Sequence, residues 1–149
     1  MKQFYLLSII LWSVYCMPSF SQKISAKDKK DIERQYIDLC KSINQQCPLV
    51  VDKVTSLRSV TFANWNLCSI YVIDMDFSDV SEADIKEMMN KLRGNLKGNI
   101  PKMFSRGNYG VKQKDFGLLL KGTGMKIRMS YYDANNTYIG SIVYDYRDF

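Results

Sequence analysis

The side chains able to do chemistry in this chain are few in type. Histidine is absent, which removes Ser-His-Asp and Cys-His nucleophilic catalysis, imidazole metal ligation and a histidine pH switch. The cysteines Cys16, Cys40, Cys47 and Cys68 show no zinc-ligand spacing, and a catalytic thiol among them would lack an imidazole base. Carboxylates alone can hydrolyse glycosides when two stand about 5–9.5 Å apart. Asp74 and Asp76, however, close a predicted strand, and Asp133 and Asp145 lie in or beside a predicted hairpin, positions that turn formation explains. Gly107-Asn108-Tyr109-Gly110 and Gly122-Thr123-Gly124 lack the strand before and helix after that a phosphate loop requires. No catalytic residue, metal site or cofactor is expected, and a carboxylate-dependent hydrolase remains only as an alternative class.

Charge offers more. The formal net charge is +6 and the pI about 9.1, a balance that steers acidic partners toward the protein. Basic residues concentrate at Lys91, Arg93, Lys97, Lys102, Arg106, Lys112 and Lys114, interrupted by Gly94, Gly98 and Gly107. A helix end and the loop after it are therefore expected to present a positive rim. Lys97, Lys102 and Arg106 would steer a partner there, with Tyr109 or Phe104 as the desolvated contact and Trp65, at a predicted hairpin tip, as a second aromatic candidate. A solvated basic face that only maintains solubility gives the same sequence pattern. Nucleic acid is a poor fit, since no recognition motif is present.

The first residues have a different texture from the rest. Lys2 precedes an apolar stretch from Phe4 to Met17, and Pro18-Ser19-Phe20-Ser21 closes it with small residues, the layout of a secretory signal peptide. The apolar run is shorter than the roughly 20 residues needed to span a bilayer. Removal after Ser21 would leave one domain, residues 22–149, periplasmic or secreted, with no stable transmembrane anchor. Lipidation at Cys16 is a second possibility that the bulky Tyr15 before it disfavours. In an oxidising compartment Cys40, Cys47 and Cys68 would form one pair and one thiol, or stay as three buried apolar side chains.

A chain with 46% hydrophobic and 24% charged residues has the composition of an ordinary globular domain. Ser25-Ala26-Lys27-Asp28 resembles a capping box and opens a helix to about Asn44, with Ile32, Tyr36, Leu39, Cys40 and Ile43 as its apolar stripe. Val50 to Phe62 and Cys68 to Met75 read as strands joined through Ala63-Asn64-Trp65-Asn66. Ser81 caps a second helix carrying Ile85, Met88, Met89, Leu92 and Leu96, and Lys114 to Lys121 predicts a third, closed by Gly122 and Gly124. Lys126 to Tyr131 alternates strictly, Asp133-Ala134-Asn135-Asn136 is turn chemistry, and Thr137 to Tyr146 predicts the final strand. The expectation is a two-layer α+β domain of order αββααββ, with two or three helices on one face of a roughly four-stranded antiparallel sheet. Ser69 to Asp74 and Ser141 to Tyr146 echo one another, compatible with two αββ halves.

The stretch Asn44-Gln45-Gln46-Cys47-Pro48-Leu49-Val50-Val51-Asp52-Lys53-Val54-Thr55-Ser56-Leu57, with Tyr71 on a strand and Leu119 to Gly124 leading into Tyr131-Tyr132-Asp133, resembles a family of small exported bacterial α+β proteins of uncharacterised function. In that family a helix ends in Asn-x-x-apolar-Pro and continues into Val-Asp-x-x-Thr-x-Leu; Cys47 stands where an aliphatic residue is usual. The resemblance implies export and an α+β domain and carries over no catalytic residue. Asp52 and Thr55 have a physical role available, tying down the turn through side-chain to backbone hydrogen bonds. The expected function is a non-enzymatic binding domain of the cell envelope, such as an inhibitor or immunity-type protein that binds an acidic protein partner. A structural envelope protein is the alternative.

Overall fold

The computed structural model describes residues 24–102 and 113–149; the signal-like segment, with Cys16, lies outside them. Helix α1 (Ala26–Asn44) begins as expected: Ser25 Oγ accepts from the Asp28 amide, and the Asp28 carboxylate accepts from the Ser25 amide. Strands β1 (Leu49–Val50), β2 (Thr55–Ala63) and β3 (Asn66–Ile73) follow. Helix α2 (Glu82–Lys97) comes next, then a 3-10 turn (Gln113–Asp115) running into helix α3 (Phe116–Thr123). Strands β4 (Lys126–Tyr132) and β5 (Tyr138–Tyr144) and a closing 3-10 turn (Tyr146–Asp148) complete the chain.

The five strands lie side by side in sequence order, every neighbouring pair antiparallel except β3 with β4. The α+β class and the element order agree with expectation, with two differences. A two-residue edge strand adds a fifth member, because the Asp52 carboxylate accepts from the Val54 and Thr55 amides at 2.9 and 2.8 Å and folds the valine-rich stretch back on itself. The central pair is parallel because α2 and α3 carry the chain back to the end where β3 began. A helix thus precedes each antiparallel hairpin, β2–β3 and β4–β5, but of the two strands that bear the sequence echo β3 is interior to the sheet and β5 lies at its edge.

One sheet face carries the core. Register places Leu67 beside Ile127, Ser69 beside Met129 and Tyr71 beside Tyr131, all buried. The Tyr71 and Tyr131 rings stack at 5.1 Å, and burial raises both phenols above their ordinary range. Helix α1 lays Ile32, Tyr36 and Cys40 on this face, Tyr36 stacking on Phe62 at 5.1 Å. Phe116, Leu119 and Leu120 of α3 fill the middle with no exposed surface. Helix α2 has no fully buried residue and leans on the core through Met89, Leu92 and Leu96, the Met89 side chain lying where a Cβ on Gly140 would come within 3.3 Å. The alternate β3 residues Cys68 and Ile70 belong to the opposite face, which carries no helix among the described residues.

All three described cysteines are free thiols. Cys40 sits among the helix-side core, whereas Cys68 has the strand parity of the opposite face. Burial first, then the nearby Cys68 thiol, pushes Cys40 up to about 11, which keeps it protonated and inert.

Beyond the short β1 pairing, the outer edge of β2 is satisfied by a side chain. Asn44 at the end of α1 donates to the Val60 carbonyl and accepts from the Val60 amide, both at 2.8 Å. Asn44→Ala would strand two part-buried backbone groups, so urea unfolding of that variant is expected to show a loss of about 2 kcal/mol, read from the midpoint at unchanged slope.

Candidate functional site

Three elements converge at one end of the domain. Helix α2 ends there with Gly98 as its C-cap, residues 100–102 start another helical turn, α3 begins from Lys114 and Asp115, and the chain returns as the last 3-10 turn. Between them lies an open cleft of about 950 Å³, within the range of sites that receive a ligand or side chains of a partner. Its rim carries Lys97, Lys114 and Lys121, and its apolar lining comes from Pro101, Leu118, Tyr146 and Phe149.

Each wall has a local cause. Three consecutive leucines on a helix point about 100° apart, so Leu119 and Leu120 enter the core and Leu118 is left 50% exposed. Phe149 packs edge-on against Phe116 at 5.0 Å, and its backbone lies so close to α3 that a Cβ on Gly117 would meet the Phe149 oxygen at 3.3 Å. Tyr146 was expected to continue β5, but the strand stops at Tyr144. Asp145 accepts from the Arg147 amide and pairs with its guanidinium at 2.6 Å, turning the chain and leaving Tyr146 46% exposed. Lys121 Nζ stands 6.0 Å from the Tyr146 ring centre, at the outer limit of a cation–π contact.

The cations around the cleft differ in their pairing. Arg93 pairs with Asp148 at 2.6 Å, donates to the Val143 carbonyl and lies over the Tyr144 ring at 4.9 Å, while the Tyr144 hydroxyl donates to the Arg93 carbonyl. Lys91 pairs with Glu87 at 2.6 Å. A smaller cavity beside β5, lined by Arg93, Lys126, Asp145, Arg147 and Asp148, sets two carboxylates among its three cations. Lys97, Lys114 and Lys121 are all exposed and, among the described residues, none has a carboxylate partner. The cleft therefore presents three lysines, without a carboxylate partner among the described residues, above apolar surface.

Of the partner residues expected from sequence, Lys97 lines the cleft. Lys102 is exposed in the turn next to Pro101, and Arg106, Tyr109, Phe104 and Lys112 lie outside the described residues. Trp65 does not line the cleft: it sits in the β2–β3 turn, half-buried and edge-on to Phe62 at 5.8 Å. Lys121, Leu118 and Tyr146 were missed. The run of three leucines was a readable signal for Leu118, since no helix can bury all three. The candidate acids serve local structure: Asp76 accepts from the Ser78 amide, and buried Asp133 accepts from the Asn135 and Thr137 amides.

Asp145 gives a pH test of this end of the fold. Hydrogen bonds from the Arg147 side chain and amide hold its carboxyl down to about 2. A depressed carboxylate pKa contributes stability above the unfolded value of about 3.9 that is lost as pH falls through the folded value. Carboxyl chemical shifts are expected to titrate Asp145 near pH 2, and in Arg147→Ala at a higher pH that still lies below the ordinary aspartate value, because the amide of residue 147 remains.

The described residues form a small α+β domain with one open, lysine-rimmed cleft at the end where α2, α3 and the last 3-10 turn meet. No family model and no curated protein sequence matches the chain. Among solved structures, a protein of Pseudomonas aeruginosa assigned as secreted shares the fold at TM-score 0.51 and 10% identity, covering 83% of this chain and 96% of its own. The type II secretion system pilotin AspS of Vibrio cholerae aligns at TM-score 0.50 and 10% identity, covering 83% and 97%. The type 2 secretion system pilotin EpsS of Vibrio vulnificus aligns at 0.51 and 6%, covering 83% and 96%. At these identities the likeness is one of fold.

Proposed function

We propose that this chain is an exported, non-enzymatic domain that binds a protein partner through the lysine-rimmed cleft. The observation that carries the proposal is the juxtaposition of three lysines, none with a carboxylate partner among the described residues, with exposed Leu118 and Tyr146 on one concave surface. Charge speeds encounter and desolvated apolar contact holds the complex, the division of labour usual at specific interfaces. The signal-like amino-terminal sequence supports export, as does a fold shared with a protein assigned as secreted and with two secretion-system pilotins. An inhibitor or immunity-type role is one form such a domain takes. Lys102 extends the basic rim in this reading, whereas Trp65 belongs to a separate surface.

Capture from the native host with the tagged chain tests the proposal. A protein is expected to co-elute in stoichiometric amount and to be lost when Leu118→Asp replaces the wild type, with circular dichroism unchanged. Equal recovery by both proteins would remove the cleft from the interface, and turnover of a small molecule by the purified chain would favour an enzyme.

A further inference from the structure

Resting on the reading of the cleft as the partner surface, we infer the chemistry of what it takes: a short acidic peptide segment with one apolar anchor. The anchor side chain, aromatic or branched aliphatic, sits on Leu118 and Tyr146, and flanking carboxylates pair with Lys97, Lys114 and Lys121. The surrounding cations indicate what these three lysines lack. Arg93, Lys91 and Arg147 each have a carboxylate of this chain at 2.6 Å, while the cleft lysines have none among the described residues, which leaves all three available to carboxylates of a partner.

The kind of cation narrows the class. Among the described residues the rim groups are all lysines, flexible hydrated point charges, with no guanidinium fork for bidentate capture of a planar anion. Such a rim suits several carboxylates spread along a chain. The apolar lining is large enough to receive a side chain, and its two most exposed members, Leu118 and Tyr146, come from different elements, so an anchor placed between them touches both. A bilayer surface would meet the same lysines but leave a concave floor of about 950 Å³ unfilled; a segment of chain fills it.

Fluorescence anisotropy with the purified chain tests this. The probes are labelled acidic nonapeptides of Asp and Glu with a single central Leu, Phe or Trp. Controls carry the same anchors flanked by Lys, or the same acids around a central Gly; phosphatidylglycerol vesicles are assayed in parallel. The acidic anchored peptides are expected to bind, with affinity falling steeply as salt rises and at least about tenfold weaker for Lys97→Glu/Lys121→Glu at low salt. Tyr146→Ala should lessen the advantage of the anchored peptide over the glycine control. Equal binding of basic or anchor-free peptides would overturn the inference, as would vesicle binding without peptide binding, or affinity unmoved by charge reversal. If the peptides fail while a captured native protein still loses binding on Leu118→Asp, the acidic-segment chemistry falls and the cleft remains the partner surface.

Discussion

Leu119→Ala and Leu120→Ala are each expected to destabilise the protein by about 2–5 kcal/mol, whereas Leu118→Ala should stay within about 1 kcal/mol of wild type. The three residues are chemically identical and adjacent on α3, so helix propensity cancels in the comparison. What differs is burial: Leu119 and Leu120 have no exposed surface and Leu118 is 50% exposed. Truncating either buried leucine leaves a cavity in the core cluster that the two share with Phe116, Tyr36 and Tyr144. In thermal melts the two core variants should lose about 5–20 °C. Three equal losses would mean that Leu118 is also buried, by a partner copy or by chain outside the described residues, and that the cleft floor is not free.

That leucine run also shows how far the sequence could be read. Signals local in sequence were legible: the Ser25–Asp28 capping box, the Asp52 turn, Asn64 and Asn136 at positive φ, and Gly124 at φ 76° closing α3. Features set by distant contacts were not. The parallel pairing of β3 with β4 depends on where two helices deliver the chain, which no strand sequence encodes. Arg93 looked like part of a basic rim and is held instead by Asp148, 55 positions away. Tyr146 misled for the opposite reason, because Tyr144 and Tyr146 continue a strand-like alternation and only the Asp145–Arg147 interaction breaks it. The basic rim was half visible: Lys97 and Lys114 stand in the expected cluster, but Lys121 looked like an ordinary helix-end lysine until the last 3-10 turn placed Tyr146 beside it.

The second large effect concerns association. Replacing Lys97, Lys114 and Lys121 together by glutamate reverses the field over the cleft, and binding of the captured partner is expected to slow by at least about tenfold at low ionic strength. The steep fall of the wild-type rate with salt should flatten or change sign in the variant, because screening then removes repulsion instead of attraction. All three side chains are exposed and have no carboxylate partner among the described residues, so the unfolding midpoint should move by no more than about 0.5 kcal/mol-equivalent. The same reversal at Lys91, paired with Glu87 on the surface of α2, serves as the control and should leave the association rate near that of wild type.

The most direct measurement places a photo-crosslinking amino acid at Leu118 in one protein and at Ile70, on the sheet face that carries no helix among the described residues, in another, with illumination in the native host. Both positions are exposed, at 50% and 38%, so the comparison is between surfaces and not between accessible and buried sites. A discrete adduct from position 118 and none from position 70 is the predicted result. An adduct from position 70 with none from 118 would place the partner on the open sheet face and contradict the assignment of the cleft.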